Sequence, residues 1–403
     1  MSLLNKSFAS NMNINNYAPS ERFNFTRGLR IFVFVLILIG IVSLSYAVLN
    51  GYPLKRILVA IFVNNFYFLS ISFAGTFFIA VQYLAGTSWY VCFKRVPEAI
   101  SSYFPVAGLV ILALCIDPGR IYPWVHSAEL SVKFPNKFLY LEPGFFTFRT
   151  VIYILPWVIL SSLIKKISLR LDISGDVKLL KHGVLYSSAF VVFSAITTST
   201  SSWDWLMSIE PHWYSALFGW YNFAGMFLSG VASMTILVSF LKARGYLSLL
   251  NENHLNDLGK YVFSLSIFWA YLWYSQFFII WYGNIPEEVS YFFKRAHDYE
   301  VIFYGNIIAN FGIPFFLLLS KKSRQRVIYL VGASLAILVG RWFDLYLMVA
   351  PGISEAKSIP DIFEIGMFVG FLGIFMLVVF RFLSSNNLIP SGHPYFKESL
   401  NHT

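Results

Sequence analysis

Residues 201–221, SSWDWLMSIEPHWYSALFGWY, hold Asp204, Glu210 and His212 among Trp203, Trp205, Trp213 and Trp220, with no Lys or Arg in the segment. Carboxylates and an imidazole can carry protons, and a line of hydroxyls can lead protons to them. Ser187, Ser194, Thr198 and Ser201 precede Asp204 at spacings of 7, 4 and 3. On a helix those spacings keep the hydroxyls within about 40° of one meridian. A second stretch, GRWFDLYLMVAPG from residue 340, sets Arg341 and Asp344 three residues apart, where opposite charges share a helix face. Asp204, Arg341 and Asp344, with the four hydroxyl residues, form a candidate proton route. Glu210, His212, Glu287, His297, Asp298 and Glu300 are candidates for a proton exit beyond it. Each feature also has a plainer reading. Small hydroxyl residues let membrane helices approach closely, Arg341 and Asp344 can be a structural ion pair, and acids favour helix N-termini. Pro211 can open the helix that follows, with Glu210 at its positive end.

The elements that position these residues must live in lipid. Of 403 residues 57% are hydrophobic, 19% aromatic and 12% charged, and the mean hydropathy is +0.64, more apolar surface than a soluble domain can bury. The net charge of +10 is spread singly or in pairs between apolar runs, which excludes a nucleic-acid-binding surface. Cys92 and Cys115 have neither CxxC nor CxxCH spacing, so a disulfide framework and covalent haem attachment are both unsupported. The chain is predicted to be an all-α integral membrane protein. With roughly 20 apolar residues needed to cross the bilayer, ten spans fall at about 28–50, 57–84, 98–116, 144–164, 182–207, 213–241, 258–283, 298–320, 325–349 and 360–383. A polar N-terminal tail, 1–27, precedes this ten-helix domain, 28–384. A C-terminal tail, 385–403, follows it, and the Pro- and Gly-rich connector 117–143 reads as an ordered external cap.

Basic residues decide which way the helices point. Twenty Lys and Arg lie on the side of the termini, counting Lys6 and Lys397, and nine lie opposite, counting Lys55 and Lys357. Both termini are therefore expected to be cytoplasmic, with Glu210 and His212 in an external turn. WDWLM at 203–207 and WFDLYLM at 342–348 each end an odd-numbered span with an Asp among aromatics. This echo suggests two four-helix bundles, spans 2–5 and 6–9, flanked by spans 1 and 10.

No paired histidines lie deep in facing spans, and there is no Walker A loop, GxGxxG or HExxH. No metal-ligand set and no catalytic residue is assigned. The segment YLWYSQFFIIWYGNIPEEVSYF, 271–292, resembles the seventh span and following loop of the membrane subunits of alternative complex III. That bacterial quinol:electron-acceptor oxidoreductase has membrane subunits of the polysulfide-reductase (NrfD-like) family. SIEPHWYSALFGWY and GRWFDLY resemble the same family, in the same order, so the likeness runs over nearly the whole chain and is nearest to the smaller, F-type subunit. The family usually has Tyr where Phe277 stands and Ala where Gly283 stands.

The resemblance implies a scaffold subunit with a proton route and no redox centre of its own, in the bacterial cytoplasmic (inner) membrane. It implies as partners a sister ten-helix membrane subunit, an iron–sulfur subunit and multihaem cytochrome c subunits. Haem c and iron–sulfur clusters would then sit in the partners, menaquinol would be the substrate of the complex, and a cytochrome c or a terminal oxidase would accept the electrons. Quinone-binding residues are not assigned to this chain. Two other readings stay open: the quinone-reactive anchor of another NrfD-like reductase, and a secondary transporter. Against the transporter, no pair of short Gly/Pro-interrupted spans occupies corresponding positions.

Overall fold

The computed structural model describes residues 21–353 and 359–402. Lys6, Lys357 and most of the tail at 1–27 lie outside the described residues. The described chain is built of helices, and its one strand-like pairing is an isolated bridge between Arg22 and Asn387. Ten helices are long and apolar enough to cross a membrane. Spans 1 to 5 are Arg27–Leu49, Leu54–Ala85, Arg95–Cys115, Pro143–Ser174 and Val177–Ile209. Spans 6 to 10 are Phe218–Ala243, Glu252–Gly283, Glu300–Leu318, Val327–Gly352 and Ile362–Ser385. The chain is therefore a multi-pass membrane protein by the character of its helices.

Several boundaries differ from the sequence-based expectation: span 4 runs past 164 to Ser174, and spans 5 and 7 begin at Val177 and Glu252 rather than at 182 and 258. Span 6 begins at Phe218, not 213, so Pro211 does not open it and Glu210 does not cap it. The Glu210 carboxylate is tied instead to Arg295, and the Trp213 ring is stacked on Tyr291, which together hold 210–217 as a turn. The stretch after Asn284 forms a helix, Pro286–Asp298, rather than a loop. Pro286 suits its first turn, Glu287 and Glu288 complement its dipole, and Tyr291, Phe292 and Arg295 turn inward one helical turn apart. His297 and Asp298 consequently end this amphipathic helix, while Glu300 opens span 8.

Spans 2 and 6 pack on each other at the centre, and each has 89% of its most apolar stretch buried. Span 2 also meets spans 3 and 5; span 6 meets spans 5, 7 and 9; spans 4 and 5 pair, as do spans 8 and 9. Spans 1 and 10 lie along each other at the edge, where a Cβ on Gly40 would come within 2.5 Å of Gly370 Cα. Backbones approach that closely only at glycine. The stretch 117–143 folds into four short helices over one end of span 5: the Tyr122 hydroxyl donates to Trp205 O at 3.1 Å and Trp124 Nε1 to Ser208 Oγ at 3.2 Å. At the opposite end the first and last described segments meet, with Leu388 N–H donating to Glu21 O at 2.8 Å.

Candidate functional site: two buried aspartate–arginine centres

Asp204 is fully buried near the end of span 5, and lipid-embedded protein cannot leave such a carboxylate unpaired. Its partner comes from span 4. Arg149 reaches it with two parallel bonds, Nε to Oδ2 at 2.9 Å and Nη2 to Oδ1 at 3.0 Å, the fork geometry that suits guanidinium and carboxylate. The Tyr153 hydroxyl, one turn from Arg149, donates to Asp204 Oδ2 at 2.8 Å. The remaining Arg149 nitrogen donates to Tyr140 O at 2.7 Å, and the guanidinium lies 3.8 Å from the Tyr140 ring centre. The segment 117–143 thus closes over this centre and shares in its hydrogen bonding.

The second centre lies on span 9. Arg341 Nη1 donates to Asp344 Oδ2 at 2.6 Å, and both side chains are about 1% exposed. Asp344 Oδ1 accepts from the Tyr221 hydroxyl on span 6 and from Asn306 Nδ2 on span 8 at 3.2 Å. Gly225 leaves the space that the guanidinium fills, since a Cβ there would lie 2.4 Å from Arg341 Nη1. Span 8 carries a π-helical turn, Ile308–Gly312, where Asn310 donates to Asn306 Oδ1 at 2.5 Å and its carbonyl accepts from Ser266 of span 7. Such turns break the regular hydrogen-bond ladder and turn side chains toward a site.

A line of side chains runs from the second centre toward the first. Arg341 Nη2 donates to Asn222 Oδ1 at 2.5 Å, and Asn222 Nδ2 donates to Ser202 Oγ at 2.8 Å. Ser202 Oγ donates onward to Thr198 O at 2.5 Å, so the polar line from span 9 through span 6 ends on span 5, two residues short of Asp204 and without a bond to it. A small, narrow cleft opens beside Asp344 among Tyr221, Gln276, Asn306 and the rings of Trp273, Phe292 and Phe303. Gln276 is 3% exposed and its Oε1 has no partner among the described residues. Such an acceptor beside a cleft is suited to a water molecule.

The outer wall of the cleft is Arg295, 2% exposed, with its guanidinium 3.2 Å from the Tyr291 ring centre. It donates to Leu347 O at 2.9 Å and to Glu210 Oε1 at 2.5 Å. Tyr291 in turn stacks on Trp213 at 3.8 Å. Outside the spans, burial raises the Tyr291 hydroxyl above its ordinary pKa, so this ring stays a neutral partner for Arg295.

The fold thus pairs Arg341 with Asp344 on span 9 and ties Asp204 separately to Arg149 and Tyr153 of span 4. The hydroxyls of Ser187, Ser194, Thr198 and Ser201 are all buried, but they do not form a chain of bonds to Asp204. Thr198 donates to Ser194 O at 2.7 Å and Ser201 to Thr198 O at 3.2 Å, while Ser187 and Ser194 Oγ have no partner among the described residues. Glu210 belongs to the cleft rim through Arg295. His212, Glu287, His297, Asp298 and Glu300 are exposed on the same end of the molecule and line no part of the cleft.

Sequence reasoning missed Arg149, Tyr153, Tyr221, Asn222, Arg295 and Asn306. The segment around Asp204 holds no base, and its partner stands 55 positions away. An arginine near a predicted span end, as Arg149 is, was the available signal. A second buried charge cluster, at the end that bears the termini, also went unread: Lys94 donates to Asp172 at 3.1 Å, Arg95 pairs with Glu98 and Asp172, and Ser168 bonds Glu98. Compared with protein-family models and with proteins of curated function, the chain matches none.

Proposed function

We propose that the chain is an integral membrane subunit of a quinol-oxidising respiratory complex, in which it supplies scaffold and a route for protons and holds no redox centre itself. On this reading its partners carry haem c and iron–sulfur clusters, menaquinol is the substrate of the assembly, and both termini face the cytoplasm. Spans 2–5 and 6–9 are then two related bundles, each with one Asp–Arg centre toward the external end and each centre roofed by the connector between the second and third helices of its bundle. The observation that carries the reading is the polar thread from Asp344 and Arg341 through Asn222 and Ser202 to the neighbourhood of Asp204. A purely structural ion pair needs its partner and nothing more; a line of polar side chains leading from one pair across two further helices is what stepwise proton movement uses. Asp344 is the group that exchanges the proton, Arg341 is its ion-pair partner between transfers, and the cleft at Gln276 supplies water.

The test uses the intact complex reconstituted in vesicles, with Asp344→Asn and the double variant Arg341→Gln/Asp344→Asn, which removes both charges. Protons released per quinol oxidised are expected to fall in both, with assembly retained at least in the double variant. An unchanged proton yield would end the proposed route, and purification of the wild-type chain without accompanying haem and iron–sulfur absorbance would end the assignment to such a complex.

A further inference from the structure

The outer edge of the span 4–span 5 hairpin is patterned along its length. On span 4 the exposed side chains run Phe148, Ile152, Leu155 and Ile159, then Lys166 and Arg170, at spacings of 3, 4 or 7. Those spacings keep one meridian of the helix. On span 5 the same rule links Lys178 and Lys181 to Leu185, Val192 and Ile196, all exposed. Spans 4 and 5 pack side by side and turn at Gly175, whose φ of 63° needs a glycine-like residue. Arg170 and Lys181 stand at nearly equal distances from that turn, so the two stripes carry their cations at one level. Two lipid-facing apolar tracks therefore end in four cations.

The chain does not neutralise those cations. None of the four makes a side-chain ion pair or hydrogen bond among the described residues. The two acids at the turn are engaged elsewhere: Asp172 bonds Lys94 and Arg95, and Asp176 accepts from Lys178 N–H at 2.9 Å as the cap of span 5. Lys166 lies about 10 Å along the helix from Ile159, the offset between acyl chains and headgroups at a bilayer face.

We propose that this edge binds anionic phospholipid, with acyl chains along Ile159 and Leu185 and headgroup phosphates on Lys166, Arg170, Lys178 and Lys181. Charge complementarity selects the headgroup, and the continuous apolar stripes select a lipid over a soluble anion. The surface lies on the first half of the chain, away from the Asp344 cleft, and does not depend on the proposed proton route.

The test purifies the chain in mild detergent and measures the bound phospholipids by mass spectrometry. The wild type is compared with Lys166→Gln/Arg170→Gln/Lys178→Gln/Lys181→Gln and with Lys321→Gln/Lys322→Gln/Arg326→Gln/Arg381→Gln, which removes four exposed charges at the same end. The ratio of anionic to zwitterionic lipid is expected to fall on the order of tenfold in the hairpin variant and to stay near wild type in the other. Equal losses in both would overturn the site in favour of a general surface potential. If the hairpin variant does not fold, the wild type still decides: its thermal stability should rise in phosphatidylglycerol nanodiscs over phosphatidylcholine ones and should not respond to inorganic phosphate. No difference between the nanodiscs, or the same rise with phosphate alone, would refute the proposal.

Discussion

At the scale of single residues, each buried acid is defined by what it would cost to leave it alone. Removing one member of a buried charge pair typically costs 3–5 kcal/mol, roughly, because the other is stranded. Arg149→Gln should therefore destabilise the protein by about that amount, and Arg149→Lys by less, since the charge stays but the two-pronged bond to Asp204 is lost. Denaturation in detergent, compared at a common wavelength for all variants, measures both; a neutral Arg149→Gln would mean that Asp204 is watered rather than paired. The acids themselves were legible by type, because a carboxylate among tryptophans has no cheap explanation in lipid. Their partners were not legible. Arg149 and Arg295 lie 55 and 85 positions from Asp204 and Glu210, and only the fold brings them together. Asn222 and Asn306 carry no charge to mark them, yet they supply a bond to Arg341 and one of the bonds to Asp344.

At the scale of elements, the apolar runs place each span but miss some of its ends, as where span 4 continues past 164 to Ser174, and they leave the connectors open. Hydropathy could not distinguish a loop from a helix over Pro286–Asp298, because that helix is mostly polar and only Tyr291, Phe292 and Arg295 turn inward. It also could not show the π-helical turn in span 8, which depends on Asn306, Asn310 and Ser266 meeting across two helices. The C-terminal segment makes a prediction of its own. His393, 3% exposed, is covered at the end that bears the termini, where burial and the nearby Lys94 and Arg95 lower its pKa to about 2. In the folded segment it stays neutral, whereas released it protonates near pH 6.5. The released state therefore binds more protons below pH 6.5, so stability is full above that pH and declines beneath it. Docking of residues 386–402 should weaken by about 2 kcal/mol between pH 7 and pH 5. Hydrogen exchange of this segment checks it, and His393→Gln should flatten the dependence.

At the scale of the whole molecule, the distribution of basic residues predicts which face meets the cytoplasm, and accessible cysteines can test it. The native thiols, Cys92 and Cys115, are 2% and 1% exposed and give a low background. With Ser391→Cys and Ser290→Cys, both at exposed positions at opposite ends of the bundle, a membrane-impermeant maleimide added to intact cells should label only the second. Labelling of Ser391→Cys from outside would invert the topology and with it the direction of the proposed route. Ten membrane helices were legible from apolar length alone. How they pack was not legible, since contacts between apolar helix faces leave little trace in residue type.

The pairing of spans 1 and 10 sets a condition on biogenesis. Span 1 leaves most of its surface uncovered by the rest of the molecule, and among the described residues its one extensive partner is span 10, which is made much later. At ordinary ribosomal speed roughly 20–60 s separate the synthesis of the two. For that interval the first helix must wait in the bilayer as a solitary hydrophobic rod, with Gly40 open to any competing chain. The insertion machinery, or a transient companion helix, has to shield it until Gly370 arrives.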